Sequence, residues 1–184
     1  MTDPLFSRSS LADDDVLASV WCPTEEELRR LKEIYEIEPR GIAFERFLRS
    51  GSEEEPSLVL DGFLFLGNLQ NGSNGAVLER LKITHIINVS ETDVRNKLHP
   101  NRFHIVHIPM GDDVQTDIRK HFDSTNELLH NYYLQGQRCL VHCAAGVSRS
   151  VTIVLAYLMR YHHDTLKHAF LYLMEKRPQI YPNE

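Results

Sequence analysis

Cysteine is scarce in this sequence. Only Cys22, Cys139 and Cys143 occur in 184 residues, too few and too scattered for a disulfide framework. A reducing, intracellular compartment is therefore expected, the cytoplasm first and the nucleus second. Positive charge is also in short supply: 20 Lys and Arg against 26 Asp and Glu give a net charge of −6 and a pI near 5.9. Proteins held to nucleic acid by phosphate contacts are usually basic, so no nucleic-acid partner is expected. No apolar run approaches the roughly 18–20 residues that span a bilayer, and no membrane partner is expected either. The opening stretch MTDPLFSRSSLADDD lacks the basic region and apolar core of a secretory signal. It also lacks the glycine after Met1 that myristoylation requires.

What is present suits one domain with an appendage. Hydrophobic residues make up 42%, enough for a full core. Residues 1–20 are polar and acidic and read as a flexible tail. A helical extension and linker follow over 21–56. Within it a helix is expected from Thr24 to Ile37, with Thr24 and Glu27 at capping-box spacing and Leu28, Leu31 and Tyr35 on one face. RSGSEEEPS, 49–57, has the composition of a linker. From residue 57 short apolar runs alternate with turns. SLVL and FLFLG read as strands around the Asp61-Gly62 turn, and ITHIINVS, FHIVHIPM and RCLVHC as further strands. NGAVLERLK, DIRKHFDSTNELLHNYYLQ, SRSVTIVLAYLMRYH and TLKHAFLYLMEKR read as helices. Such alternation implies a layered α/β or α+β domain over 57–184.

The chemistry concentrates where one strand meets one helix, in VHCAAGVSRS. The first amides of a helix have no internal partners, and the dipole adds partial positive charge there. Ala144, Ala145 and Gly146 have little side chain to hide such amides, and a turn that wraps them inward forms an anion nest. The same nest favours a thiolate at Cys143. Arg149 supplies a planar two-pronged donor for phosphate oxygens. Together these residues describe a phosphate-ester hydrolase working through a cysteinyl-phosphate intermediate. A Walker A loop fails for want of a lysine between Arg138 and Met159. A zinc site of Cys139, His142 and Cys143 is geometrically poor, since Cys139 and Cys143 sit about 13 Å apart on a strand. Ten histidines leave a cysteine protease open by counting, although such an enzyme has no use for Arg149. The leaving oxygen needs a proton donor, and Asp112, Asp113 and Asp117 cluster in MGDDVQTDIRKHF.

HCAAGVSRS matches the His-Cys-x5-Arg-Ser/Thr signature of the protein tyrosine phosphatase superfamily. Its AGVSRS form most resembles the dual-specificity phosphatases, and FLFLGN, ITHIINVS, IPMGDD and KRPQIYPN resemble family segments in the expected order. The resemblance implies a phosphotyrosine protein phosphatase-like α/β fold, with a central twisted mixed sheet flanked by helices. It implies Asp112 as general acid and base, with Asp113 the alternative under a one-residue loop shift, while Asp117 is expected to cap the next helix. It gives Ser150 the hydroxyl that hydrogen-bonds the cysteine sulfur, and His142 a bracing role behind the loop. Ala144, Ala145, Gly146, Val147, Ser148 and Arg149 are expected to hold the phosphate, with no metal or other cofactor. His162-His163 is read as an exposed helix end, and Cys139 as a core residue. Cys143 is open to reversible oxidation.

The five loop residues carry no lysine, unlike many lipid phosphatases of the superfamily. A phosphorylated protein, a kinase among the candidates, is therefore the expected partner and substrate, at phosphotyrosine and at phosphoserine or phosphothreonine. No segment resembles the tyrosine-stacking motif of tyrosine-specific members, and 56 N-terminal residues are too few for a rhodanese-like docking domain, so an atypical member is implied. The alternative is a phosphoprotein-binding pseudophosphatase or scaffold. Family members usually continue past RPQIYPN into a last helix, so an exposed apolar strip is expected beside its place.

Overall fold

The computed structural model describes Arg29, residues 55–99 and residues 101–182. The acidic tail, the linker up to residue 54 and, apart from Arg29, the expected helix over Thr24–Ile37 lie outside the described residues.

The sheet has five strands in the order β1-β2-β5-β3-β4. Strands β1 (Ser57–Leu60) and β2 (Leu64–Gly67) form an antiparallel hairpin, with a register shift between Leu58 and Leu60. Its turn requires Gly62, whose φ is +70°. Strands β3 (His85–Asn88), β4 (His104–His107) and β5 (Cys139–His142) join β2 in parallel, with β5 between β2 and β3. The expected mixed sheet is thus present.

Alternation along the strands shows that both faces are covered. Leu64, Leu66, Ile87, Cys139 and Val141 belong to one buried cluster. Phe65, Ile86 and Leu140, their neighbours in sequence, belong to the other. This is why the strands read as unbroken apolar runs rather than as alternating ones. The larger cluster is closed by α3 (Phe122–Leu134), α4 (Arg149–Tyr161) and α5 (Leu166–Lys176). The smaller is closed by Leu78 of α2 (Gly75–Arg80) with Ile83, Val94 and Leu98. None of the described helices is long and apolar enough to cross a membrane.

Three expectations are corrected. A short helix, α1 (Leu69–Ser73), precedes α2. Asn68 and Asn71 cap it reciprocally, each amide donating to the other side chain at 2.9 Å. The expected long helix from Asp117 is broken: a 3₁₀ turn over Arg119–His121 leads into α3, and the Asp117 carboxylate accepts from the Arg119 amide at 3.2 Å. Nor are His162 and His163 a simple exposed helix end. His162 packs 5.5 Å from the Tyr157 ring and His163 5.0 Å from Tyr172, and both are half-buried. Burial pushes His162 down to about 4.

Candidate active site

Strand β5 delivers Cys143 to the C-terminal edge of the parallel strands, at the centre of the sheet. The chain then turns through Ala144–Ser148 and enters α4 at Arg149. Gly146 makes the turn possible, with φ of +69°. A Cβ there would lie 2.6 Å from the Gly67 carbonyl oxygen.

The Cys143 sulfur receives two donors. The Gly146 N–H and the Ser150 hydroxyl each donate to Sγ at 3.2 Å. Ser150 thus stands where the sequence placed it, one residue into α4.

The loop carbonyls are fastened from outside. The Leu69 amide donates to the Ala144 carbonyl at 3.0 Å and the Tyr181 amide to the Val147 carbonyl at 2.8 Å. Arg177 Nε donates to the Gly146 carbonyl at 2.8 Å, and His142 Nδ1 to the Cys143 carbonyl at 3.2 Å. In a trans peptide the C=O and the following N–H point opposite ways. Each fastened carbonyl therefore turns the next amide to the inner side of the loop: Ala144, Ala145, Val147 and Ser148. Among the described residues, the amides of Ala144, Ala145 and Val147 donate to no protein acceptor. Ser148 is buried.

His142 is fully buried beneath the loop, and Gly72 packs so closely on its ring that a Cβ would not fit. Burial lowers it to about 4, so the ring is neutral near pH 7. Donation to a carbonyl then places its single proton on Nδ1. Cys139, at the other end of β5, is fully buried, and burial pushes its thiol pKa well up.

The Arg149 side chain is only 5% exposed. Its Nη1 donates to the Met110 carbonyl at 2.9 Å, and its Nη2 lies 3.2 Å from Asp112 Oδ2. Its Nε is buried with no hydrogen-bond partner among the described residues, a donor left over for an anion. Asp112 and Asp113 point to different tasks. The Asp113 carboxylate is turned back into its own loop, accepting from the Gln115 and Thr116 amides at 2.8 and 2.9 Å. Asp112 faces Arg149 and remains partly exposed. Asp117 is occupied at the 3₁₀ turn and has no contact with Arg149 among those described. Sequence reasoning assigned no role to Arg177 and Tyr181. The only signal was the KRPQIYPN segment, whose contacts with the loop join residues 31 or more apart.

Known proteins resemble this chain in sequence and in fold. A "Probable rhodanese domain-containing dual specificity protein phosphatase" of Dictyostelium discoideum is 38% identical over 133 residues, 72% of this chain and 27% of that protein. "Dual specificity protein phosphatase 14" of Mus musculus is 38% identical over 145 residues, covering 79% of this chain and 72% of the mouse protein. The solved structure of a mouse putative dual specificity phosphatase complexed with zinc tungstate is 29% identical, with a TM-score of 0.65. That match covers 72% of this chain and 82% of the solved chain. The family model described as "Dual specificity phosphatase, catalytic domain" matches residues 64–184. With Cys143 and Arg149 at the two ends of one strand-to-helix turn at the centre of the sheet, the chain belongs to the dual-specificity phosphatase family.

Proposed function

We propose that residues 57–184 form a catalytic unit that hydrolyses phosphotyrosine and phosphoserine or phosphothreonine on proteins. One observation carries the reading. A cysteine sulfur with two donors shares a loop with inward amides and a buried arginine, and that arginine already holds a carboxylate.

The steps follow from these positions. The phosphate dianion sits on the amides of Ala144, Ala145, Val147 and Ser148 and takes Arg149 from Asp112. The Cys143 thiolate attacks phosphorus, the S–P bond forms and the ester P–O bond breaks. Asp112, as the carboxylic acid, gives its proton to the departing oxygen. Water then attacks phosphorus, Asp112 takes a proton from it, and the S–P bond breaks to release phosphate. The Ser150 hydroxyl stabilises the departing thiolate. His142 braces the loop from behind. The lysine-free loop favours a singly phosphorylated protein site over a phosphoinositide.

The test is a panel of phosphotyrosine, phosphothreonine and phosphoserine peptides offered to the parent, Cys143→Ser and Asp112→Ala. The parent is expected to release phosphate from all three classes, and Cys143→Ser from none. A parent that binds phosphopeptides without releasing phosphate would replace this reading with the scaffold one.

A further inference from the structure

Arg177 is a buried guanidinium 34 residues beyond the nucleophile, and the catalytic steps above do not use it. It is 1% exposed and ranks among the largest fully buried side chains. Burying a guanidinium is costly unless its donors are well used. Its Nε donates to the Gly146 carbonyl at 2.8 Å and its Nη1 to the Ser57 hydroxyl at 3.1 Å. Its Nη2 lies 2.7 Å from the place a Gly146 Cβ would occupy, so the guanidinium fills the space that the missing side chain leaves. Four residues on, the Tyr181 amide donates to the Val147 carbonyl.

Consecutive carbonyls of the loop, Gly146 and Val147, are therefore fastened by one short segment, 177–181. By the trans-peptide rule these two bonds aim the amides of Val147 and Ser148 toward the anion. They also hold Gly146 at its positive φ, the conformation in which its own amide reaches the Cys143 sulfur. Without the guanidinium, the Gly146–Val147 peptide can rotate and remove one amide from the nest. A fixed positive charge behind the loop also adds to the potential felt by a dianion.

We propose that Arg177 is a positioning residue that sets the anion affinity of the phosphate loop by locking the Gly146–Val147 peptide with its N–H inward. The proposal rests on the phosphate-loop reading above, and the experiment separates the two. Tungstate, a tetrahedral oxyanion, is titrated by calorimetry into the parent, Arg177→Met, Arg177→Lys and Ser57→Ala. Turnover of para-nitrophenyl phosphate and the melting temperature are measured beside it. Arg177→Met is expected to weaken tungstate about tenfold or more, with kcat/KM falling at least as far. Arg177→Lys, which keeps one donor but cannot span Gly146 and Ser57, should recover part of the loss, and Ser57→Ala should show the smallest change. A merely structural arginine would lower the melting temperature and leave tungstate affinity per folded molecule at the parent value, and that result overturns the proposal. If Arg177→Met does not fold, Arg177→Lys decides: parent-like tungstate affinity refutes the role and weakened affinity supports it. A parent that binds tungstate without turnover refutes the hydrolase reading alone, while a parent that binds no tungstate overturns both.

Discussion

In the proposed reaction the loop at Cys143 and the aspartate loop hold the two halves, and they are built in opposite ways. In residues 143–148 Cys143, Gly146 and Ser148 are buried, Ala144 and Ala145 are exposed, and four carbonyls are fastened from β5, α1 and the segment after α5. Residues 111–116 lie near the surface, with Val114 71% exposed, and are held mainly by the Asp113 turn and by Arg149. The difference follows from the work each does. An anion nest acts only if its dipoles are fixed beforehand. A proton donor must admit leaving groups of different shape and then a water, so its loop is tethered at few points. Arg149 joins the two, since its Met110 and Asp112 contacts are the described link between them.

The largest effect should come from exchanging the roles of the adjacent aspartates. Asp112→Ala is expected to slow release of poor leaving groups by about 10²- to 10⁴-fold. Asp113→Ala should slow it only a few-fold through a looser turn. Alkyl and aryl phosphate kinetics compare them, and a larger loss in Asp113→Ala would reverse the assignment.

The contrast in rigidity is probed next. Gly146→Ala forces a side chain into positive φ against the Gly67 carbonyl, and should cost about 1–3 kcal/mol of stability as well as activity. Val114→Ala in the aspartate loop should change stability by about 0.5 kcal/mol or less. Urea midpoints measure both, and equal losses would erase the distinction.

The smallest effect concerns pH. His142 under the phosphate loop is lowered to about 4, so between the ordinary histidine value and that point the unfolded chain binds a proton that the folded chain refuses. Stability therefore rises with pH across that window and falls on acidification, by about 1 kcal/mol near pH 5.5 from this group alone. Denaturant midpoints between pH 7 and pH 4 should show a shallower slope in His142→Asn. An unchanged slope would place the acid sensitivity elsewhere, with His162 the next group to replace.

Much of this was legible from local pattern. The strands were visible because both sheet faces demand apolar residues, and Cys143 and Arg149 because a nest opening a helix needs that spacing. Helix α1 was not, because Asn, Gly and Ser in LQNGS favour turns and the helix is held by its Asn68–Asn71 capping box. Asp112 could not be separated from Asp113 by residue type; the distinction is the direction of one carboxylate, set by the Thr116 and Gln115 amides. His162 was misread because its burial depends on rings gathered around it by packing. Arg177 was invisible for a related reason: its partners lie 31 and 120 residues away.

Those separations also bear on folding. The Tyr172 hydroxyl reaches the Val59 carbonyl across 113 residues, and Arg177 reaches Ser57 across 120, so α5 and the segment after it clasp the hairpin that begins the sheet. Contacts so distant in sequence carry the greatest loop-closure cost. The phosphate loop is shaped by the closing of that clasp. A chain with its strands paired and α4 formed, but with the clasp still open, has native-like secondary structure and an unfinished catalytic centre.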